Sequence, residues 1–233
     1  AGEKIGICGR TGAGKSSFIS ALFRLADVQE GTITIDGVDI NQLHLRELRS
    51  RLAIIPQEPT LFSGTLLQNL DPFNQYSDQE IMNILDHVAL GEAVRKAEGG
   101  LETHVSEGGE NWSTGQRQLI CMARALLRRC KIVVLDEATA GCDVETDAIL
   151  QVMPLFLVEF KDCTVLTIAH RLHTIIDSDR ILVLERGRVA EFDSPSNLLN
   201  TPDSLFKRLL HESATARGGD DNTATHESVE AKP

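Results

Sequence analysis

Gly9-Arg-Thr-Gly-Ala-Gly-Lys-Ser-Ser17 fits the pattern GxxxxGK[ST], and its surroundings give that match weight. The apolar run Ile5-Gly-Ile-Cys8 precedes it, and Phe18, Leu22 and Leu25 follow at helical spacing, so the segment reads strand, glycine loop, helix. In such a loop the glycines let backbone N–H groups wrap a β-phosphate, Lys15 brings a cation to the β- and γ-phosphates, and the Ser16 hydroxyl is offered to Mg²⁺. The candidate nucleotide contacts are therefore Gly9, Arg10, Thr11, Gly12, Ala13, Gly14, Lys15, Ser16 and Ser17.

Three other runs, Ala53-Ile-Ile55, Ile132-Val-Val-Leu135 and Thr164 to Ala169, are short and continuously apolar, as buried parallel strands are. They end in Pro56-Gln57, Asp136-Glu137 and His170. Ligands of open parallel sheets bind beyond the carboxyl ends of the strands, so the four ends predict one shared site. Asp136 stands where a carboxylate holds Mg²⁺ directly or through water. Glu137 is its neighbour, and adjacent side chains at a strand end point apart, so one carboxylate can face the metal and the other an attacking water. His170 closes the fourth run and reads as a γ-phosphate contact. Gln57 reads equally well as a loop amide serving the backbone.

A second anion-holding surface stands about a hundred residues on. Ser113-Thr-Gly115 precedes an apolar helix, where exposed N–H groups accept negative charge. Between Gln57 and Ser113 the pattern is helical, with Ser77-Asp-Gln-Glu80 as a capping box and Ile81, Ile84, Leu85 and Val88 on one face. The alternation in Thr32–Gly37, and Ile181–Val189 joined at Gly187, predict antiparallel margins. Asp203 and Ser204 begin a last helix through Leu210, and residues 213–233 are expected to be disordered.

Composition narrows the classes. With 23 Lys and Arg against 34 Asp and Glu the net charge is −11, and the body before Glu212 is acidic too, which argues against a general nucleic-acid binder. There is no run of 18 apolar residues and no signal-peptide pattern at Ala1-Gly-Glu-Lys4, so direct membrane insertion by this chain is not expected and a membrane link would run through a partner or through sequence missing here. Cys8, Cys121, Cys130, Cys142 and Cys163 lack CxxC spacing and read as reduced, mostly buried thiols.

Taken in order, these residues resemble the nucleotide-binding domain of an ATP-binding cassette (ABC) transporter, over nearly all of the chain to about Glu212. The stretches "LRELRSRLAIIPQEPTLFSGTLLQNLDPF" (45–73) and "STGQRQLICMARALLRR" (113–129) are similar to the second such domain of the C subfamily, the multidrug-resistance-associated transporters. The resemblance implies an α/β P-loop NTPase of ABC type, with a mainly parallel sheet, an antiparallel β margin and an inserted helical subdomain at about 60–130, within an ATP-binding domain 1–212. It implies ATP and Mg²⁺ as cofactors, with Ser16, Gln57 and Asp136 at the metal, Gln57 also meeting the attacking water, and Glu137, His170 and Lys15 as the catalytic groups. Ser113, Gly115 and Gln116 would serve the nucleotide of a second cassette paired head to tail, with Asp143 at the seam. That is why one domain would carry two phosphate surfaces.

The further implications are transmembrane domains of the same transporter as partners, a place on the cytoplasmic face of a membrane, and export powered by Mg²⁺-dependent ATP hydrolysis. The same residues would also serve a nucleotide-sensing domain gating a channel or receptor, whereas a soluble ABC ATPase of chromosome work would carry long coiled coils absent here. Three departures stand out. Trp112 occupies the usual leucine of the signature and Thr114 a usual glycine, and this signature would complete the weaker of two unequal sites. The family's adenine-stacking aromatic upstream of Gly9 is lacking, so the chain is expected to be a fragment lacking the domain's N-terminal strands, binding ATP about 5- to 150-fold more weakly than a longer one. Pro154 is expected to kink or end a helix, and Cys142 is read as a small turn residue.

Overall fold

The computed structural model describes residues 1–136, 158–169 and 171–218, the last five without their side chains. In chain order these form β1 (Lys4–Cys8), α1 (Lys15–Leu22), β2 (Thr34–Ile35), β3 (Val38–Asp39), α2 (Leu45–Ser50), β4 (Leu52–Ile55), β5 (Gly64–Thr65), α3 (Leu66–Leu70), α4 (Asp78–His87), α5 (Gly91–Lys96) and β6 (His104–Val105). There follow α6 (Thr114–Arg128), β7 (Ile132–Asp136), β8 (Thr164–Ile168), β9 (Arg180–Glu185), β10 (Arg188–Asp193), α7 (Pro195–Asn200) and α8 (Leu205–Gly218). The helix expected to contain Pro154 lies outside the described residues.

All four apolar runs become strands of one sheet of order β10-β9-β1-β8-β7-β4. Pairing is parallel from β9 to β4, and among the described strands of this sheet only β10 runs antiparallel, on β9. Both faces are covered, which is why the strands read as continuous apolar runs. Val133 and Leu135 point into a core shared with α3 to α6, whereas Val134 joins α1 and α2 on the other face. A third cluster, built on Phe206, seats α7 and α8 beside β9.

The two margins close on two-residue turns in which both residues have positive φ: Asp36 (50°) with Gly37 (78°), and Arg186 (50°) with Gly187 (75°). This is the turn whose twist matches paired strands. Two helix ends differ from expectation. Helix α1 stops at Leu22 because Arg24 takes φ 48°, which leaves Leu25 68% exposed rather than on a buried face. Helix α8 continues to Gly218, eight residues past Leu210, through the helix-favouring Ala214, Ala216 and Arg217. From 219 onward the expected disorder falls outside the described residues.

Candidate nucleotide site

Cys8, the last residue of β1, is fully buried between β8 and β9, so the chain that follows it emerges at the middle of the sheet's carboxyl edge. Gly9 turns there with φ 152°, and a Cβ on it would lie 2.3 Å from the carbonyl oxygen of Leu184 in β9. Gly12 (φ 79°) and Gly14 (φ 107°) carry the loop round to α1. A second turn holds the loop from outside: the Gly187 N–H donates to the Ala13 carbonyl at 2.9 Å. Within the loop the Ala13 N–H donates to the Arg10 carbonyl at 3.0 Å.

The donor set suits a polyphosphate. No side chain caps the amino end of α1, so its first N–H groups face outward with the positive end of the helix dipole. Lys15 is 8% exposed, and its ammonium donates to the carbonyls of Gly9 (2.7 Å) and Arg10 (3.4 Å), a cation held inside the curve of the loop. Ser16 and Ser17 are exposed on the first turn of α1. Ser16, Asp136 and Gln57 carry hard oxygen donors, the chemistry that Mg²⁺ takes. Hollows of about 210 Å³ and 550 Å³ flank Arg10 and Thr11, with Leu209 of α8 lining both.

Strand register brings Asp136 to the same edge: it pairs with Ile168, and Ile168 pairs with Ile7, one residue before Cys8. Gln57 follows β4, which pairs directly with β7, and is exposed beyond Ile55. Among the sequence-predicted residues, then, the loop, Asp136 and Gln57 share one edge of the sheet. Glu137, Asp143 and His170 lie outside the described residues.

Ser113 is the N-cap of α6. Its hydroxyl accepts from the Gln116 N–H (3.2 Å) and the Gln116 side chain accepts from the Ser113 N–H (3.1 Å), a reciprocal box that leaves Thr114 and Gly115 between them. Trp112 packs into the core at 8% exposure, and its indole N–H has no hydrogen-bond partner among the described residues. Four residues around the site do not read as part of it from the sequence, Gly187 reading only as a hairpin joint. Gly187 had a local signal in the Arg186-Gly187 turn pair; Gln118, Asn69 and Arg124 had none, because their partners are distant in the chain. The buried Gln118 amide donates to the Pro56 carbonyl at 3.3 Å, tying the end of β4 to α6.

Residues 1–140 match the family model described as ABC transporter. The chain belongs to the ABC transporter family. Its fold is accordingly the ABC-type ATPase core, and the domain is the family's ATP-binding one. The chain is 54% identical over 211 residues to ABC transporter C family member 9 of Arabidopsis thaliana, covering 91% of this chain and 14% of that protein. ABC transporter C family member 3 of Dictyostelium discoideum is 54% identical over 210 residues, 90% of this chain and 15% of that one. A bacterial Atm1-family ABC exporter solved with ATP bound superimposes with a TM-score of 0.81 at 38% identity, over 92% of this chain and 37% of that chain. The chain thus spans about one seventh of the C-family relatives. None of its described helices is long and apolar enough to cross a membrane.

Burial pushes the Cys8 thiol up to about 12, with the Lys15 charge opposing, so directly beneath the ABC phosphate loop lies a neutral group. The thiols of Cys121 and Cys130 are raised as well, each mainly by burial. Together with Cys163 these are free and buried, as expected of reduced thiols, and Cys142 lies outside the described residues.

Proposed function

We propose that this domain binds Mg·ATP and hydrolyses it, as one of two cassettes paired head to tail at the cytoplasmic face of a membrane, and so powers export by a transporter of the multidrug-resistance-associated type. The observation that carries the reading is the phosphate cradle itself. Gly9, Gly12 and Gly14 hold backbone that side chains would obstruct or strain, the α1 amides face outward uncapped, and Lys15 supplies a buried cation.

Each group has a task. The loop amides and Lys15 bind and orient the β- and γ-phosphates, and Ser16, Gln57 and Asp136 would hold Mg²⁺, which neutralises phosphate charge when bound. Glu137 takes the proton of the attacking water, and His170 holds the γ-phosphate. Ser113, Gly115 and Gln116 offer the amino end of α6 to the nucleotide of the second cassette, with Asp143 at the seam. The exposed rings of Phe62 (69%) and Phe73 (64%) give the helical subdomain, at about 60–130 of the 1–212 domain, a contact for the transmembrane domains of the same transporter.

The test is hydrolysis of Mg·ATP by the domain alone at rising concentration and then mixed with the other cassette of the same transporter. Turnover per molecule is expected to rise on mixing, and Glu137→Gln is expected to keep ATP binding while losing nearly all turnover. Unchanged turnover in Glu137→Gln removes that residue from its role. ATP bound without turnover in any mixture turns the reading towards a nucleotide-gated regulatory domain.

A further inference from the structure

Helix α6 carries Ser113 at its amino end, and eleven residues on it carries a guanidinium that makes three short hydrogen bonds. Arg124 is half-buried. Its Nε donates to the Asn69 carbonyl at 2.6 Å, Nη1 to the Thr60 carbonyl at 2.8 Å, and Nη2 to Asn69 Oδ1 at 2.6 Å. Its Cζ lies 5.9 Å from the centre of the Phe62 ring. Asn69, 5% exposed, passes the restraint on: its Nδ2 donates to the carbonyls of Phe62 (2.8 Å) and Thr65 (3.0 Å), and its Oδ1 accepts from the Phe62 N–H (2.9 Å).

These bonds converge on the segment after β4, which has no regular structure before β5 at Gly64. Gln57 sits in that segment between two anchors, Pro56 held by Gln118 and Thr60 held by Arg124. Both anchors belong to α6. A loop fastened at both ends to one helix follows that helix when it moves.

We propose that Arg124 is a positioning residue: with Asn69 it clamps residues 57–65 to α6, so that Gln57 and the Ser113–Gln116 helix end move as one body. The proposal rests on the reading that Gln57 serves the nucleotide site. A planar fork is required, because three acceptors in different directions, at 2.6 to 2.8 Å, match the fixed N–H vectors of a guanidinium and exceed what one ammonium reaches. Occupancy of the second cassette's surface on α6 then reaches this domain's own metal contact through a side chain that touches neither ligand.

The experiment is amide hydrogen exchange on wild type, Arg124→Lys and Asn69→Ala, without nucleotide. Peptides covering 57–65 are expected to exchange at least tenfold faster in Arg124→Lys, and by an intermediate factor in Asn69→Ala, which keeps the bond to Thr60. Peptides from β1 and β7 are expected to keep their protection. Alongside it, the Mg²⁺ concentration giving half-maximal hydrolysis is expected to rise several-fold in Arg124→Lys, while ATP affinity measured in EDTA stays unchanged. Acceleration shared equally by β1, β7 and 57–65 overturns the proposal, since it marks general destabilisation, and so does unchanged exchange at 57–65. If Arg124→Lys fails to fold, Asn69→Ala decides by the same comparison. A wild type that binds no ATP defeats the proposed function, and the exchange data still judge the clamp.

Discussion

Gly9 is the position in the loop with the least room for another side chain. Its φ of 152° and the carbonyl of Leu184 at 2.3 Å from a built Cβ mean that Gly9→Ala must push β1 from β9 or deform the loop. The expected cost is about 2–4 kcal/mol in urea unfolding, with loss of ATP binding. Gly12→Ala meets nothing within 4 Å and carries only the strain of φ 79°, about 1 kcal/mol, which makes it the matched control. One residue back, Cys8 gives the domain a pH dependence. Its thiol is held neutral up to about 12 in the fold and ionises near 9 when unfolded, so between those values the unfolded chain binds fewer protons and stability falls as pH rises. Urea midpoints measured from pH 8 to 11 are expected to fall less steeply for Cys8→Ala than for wild type. Equal slopes would mean that the thiol does not contribute.

At the scale of elements, three of the described helices begin with reciprocal capping boxes: Thr65 with Gln68 on α3, Ser77 with Glu80 on α4, and Ser113 with Gln116 on α6. The box at Ser77 was legible in the sequence because it is a local pattern of four residues. The serine at 113 was read as a phosphate contact, and in the structure its hydroxyl is occupied in holding its own helix. Ser113→Ala is accordingly expected to lower stability by about 1 kcal/mol in thermal or urea unfolding, apart from any effect on nucleotide, while Ser113→Thr restores most of it. The overrun at Leu25 has the opposite lesson. Apolar spacing continued past Leu22, but the backbone at Arg24 had already left the helix, and periodicity carries no information about a single positive φ.

Across the whole molecule, the four buried strands, with Asp136 and Gln57 at the ends of two of them, could be read directly, because a parallel strand covered on both faces writes its burial into a continuous run of apolar residues. Strand order could not. That β1 lies between β8 and β9, whose residues follow it by some 160 to 180 positions, depends on crossovers that leave no local pattern. The same holds for Arg124 and Gln118, which look like ordinary polar residues of an amphipathic helix until Thr60, Asn69 and Pro56 are placed beside them.

The hairpin turn at Arg186-Gly187 carries a consequence for how the protein is made. The phosphate loop is written in residues 9–17, yet its Ala13 carbonyl is held by an amide 174 residues later, and its founding strand needs neighbours from 164–168 and 180–183. During synthesis the motif leaves the ribosome ahead of these partners and waits for its cradle until β9 and the turn after it have emerged. Over that interval the chain carries a nucleotide-binding signature without a nucleotide-binding shape, and the wait falls on β1, both of whose partners, β8 and β9, are made some 160 residues or more after it.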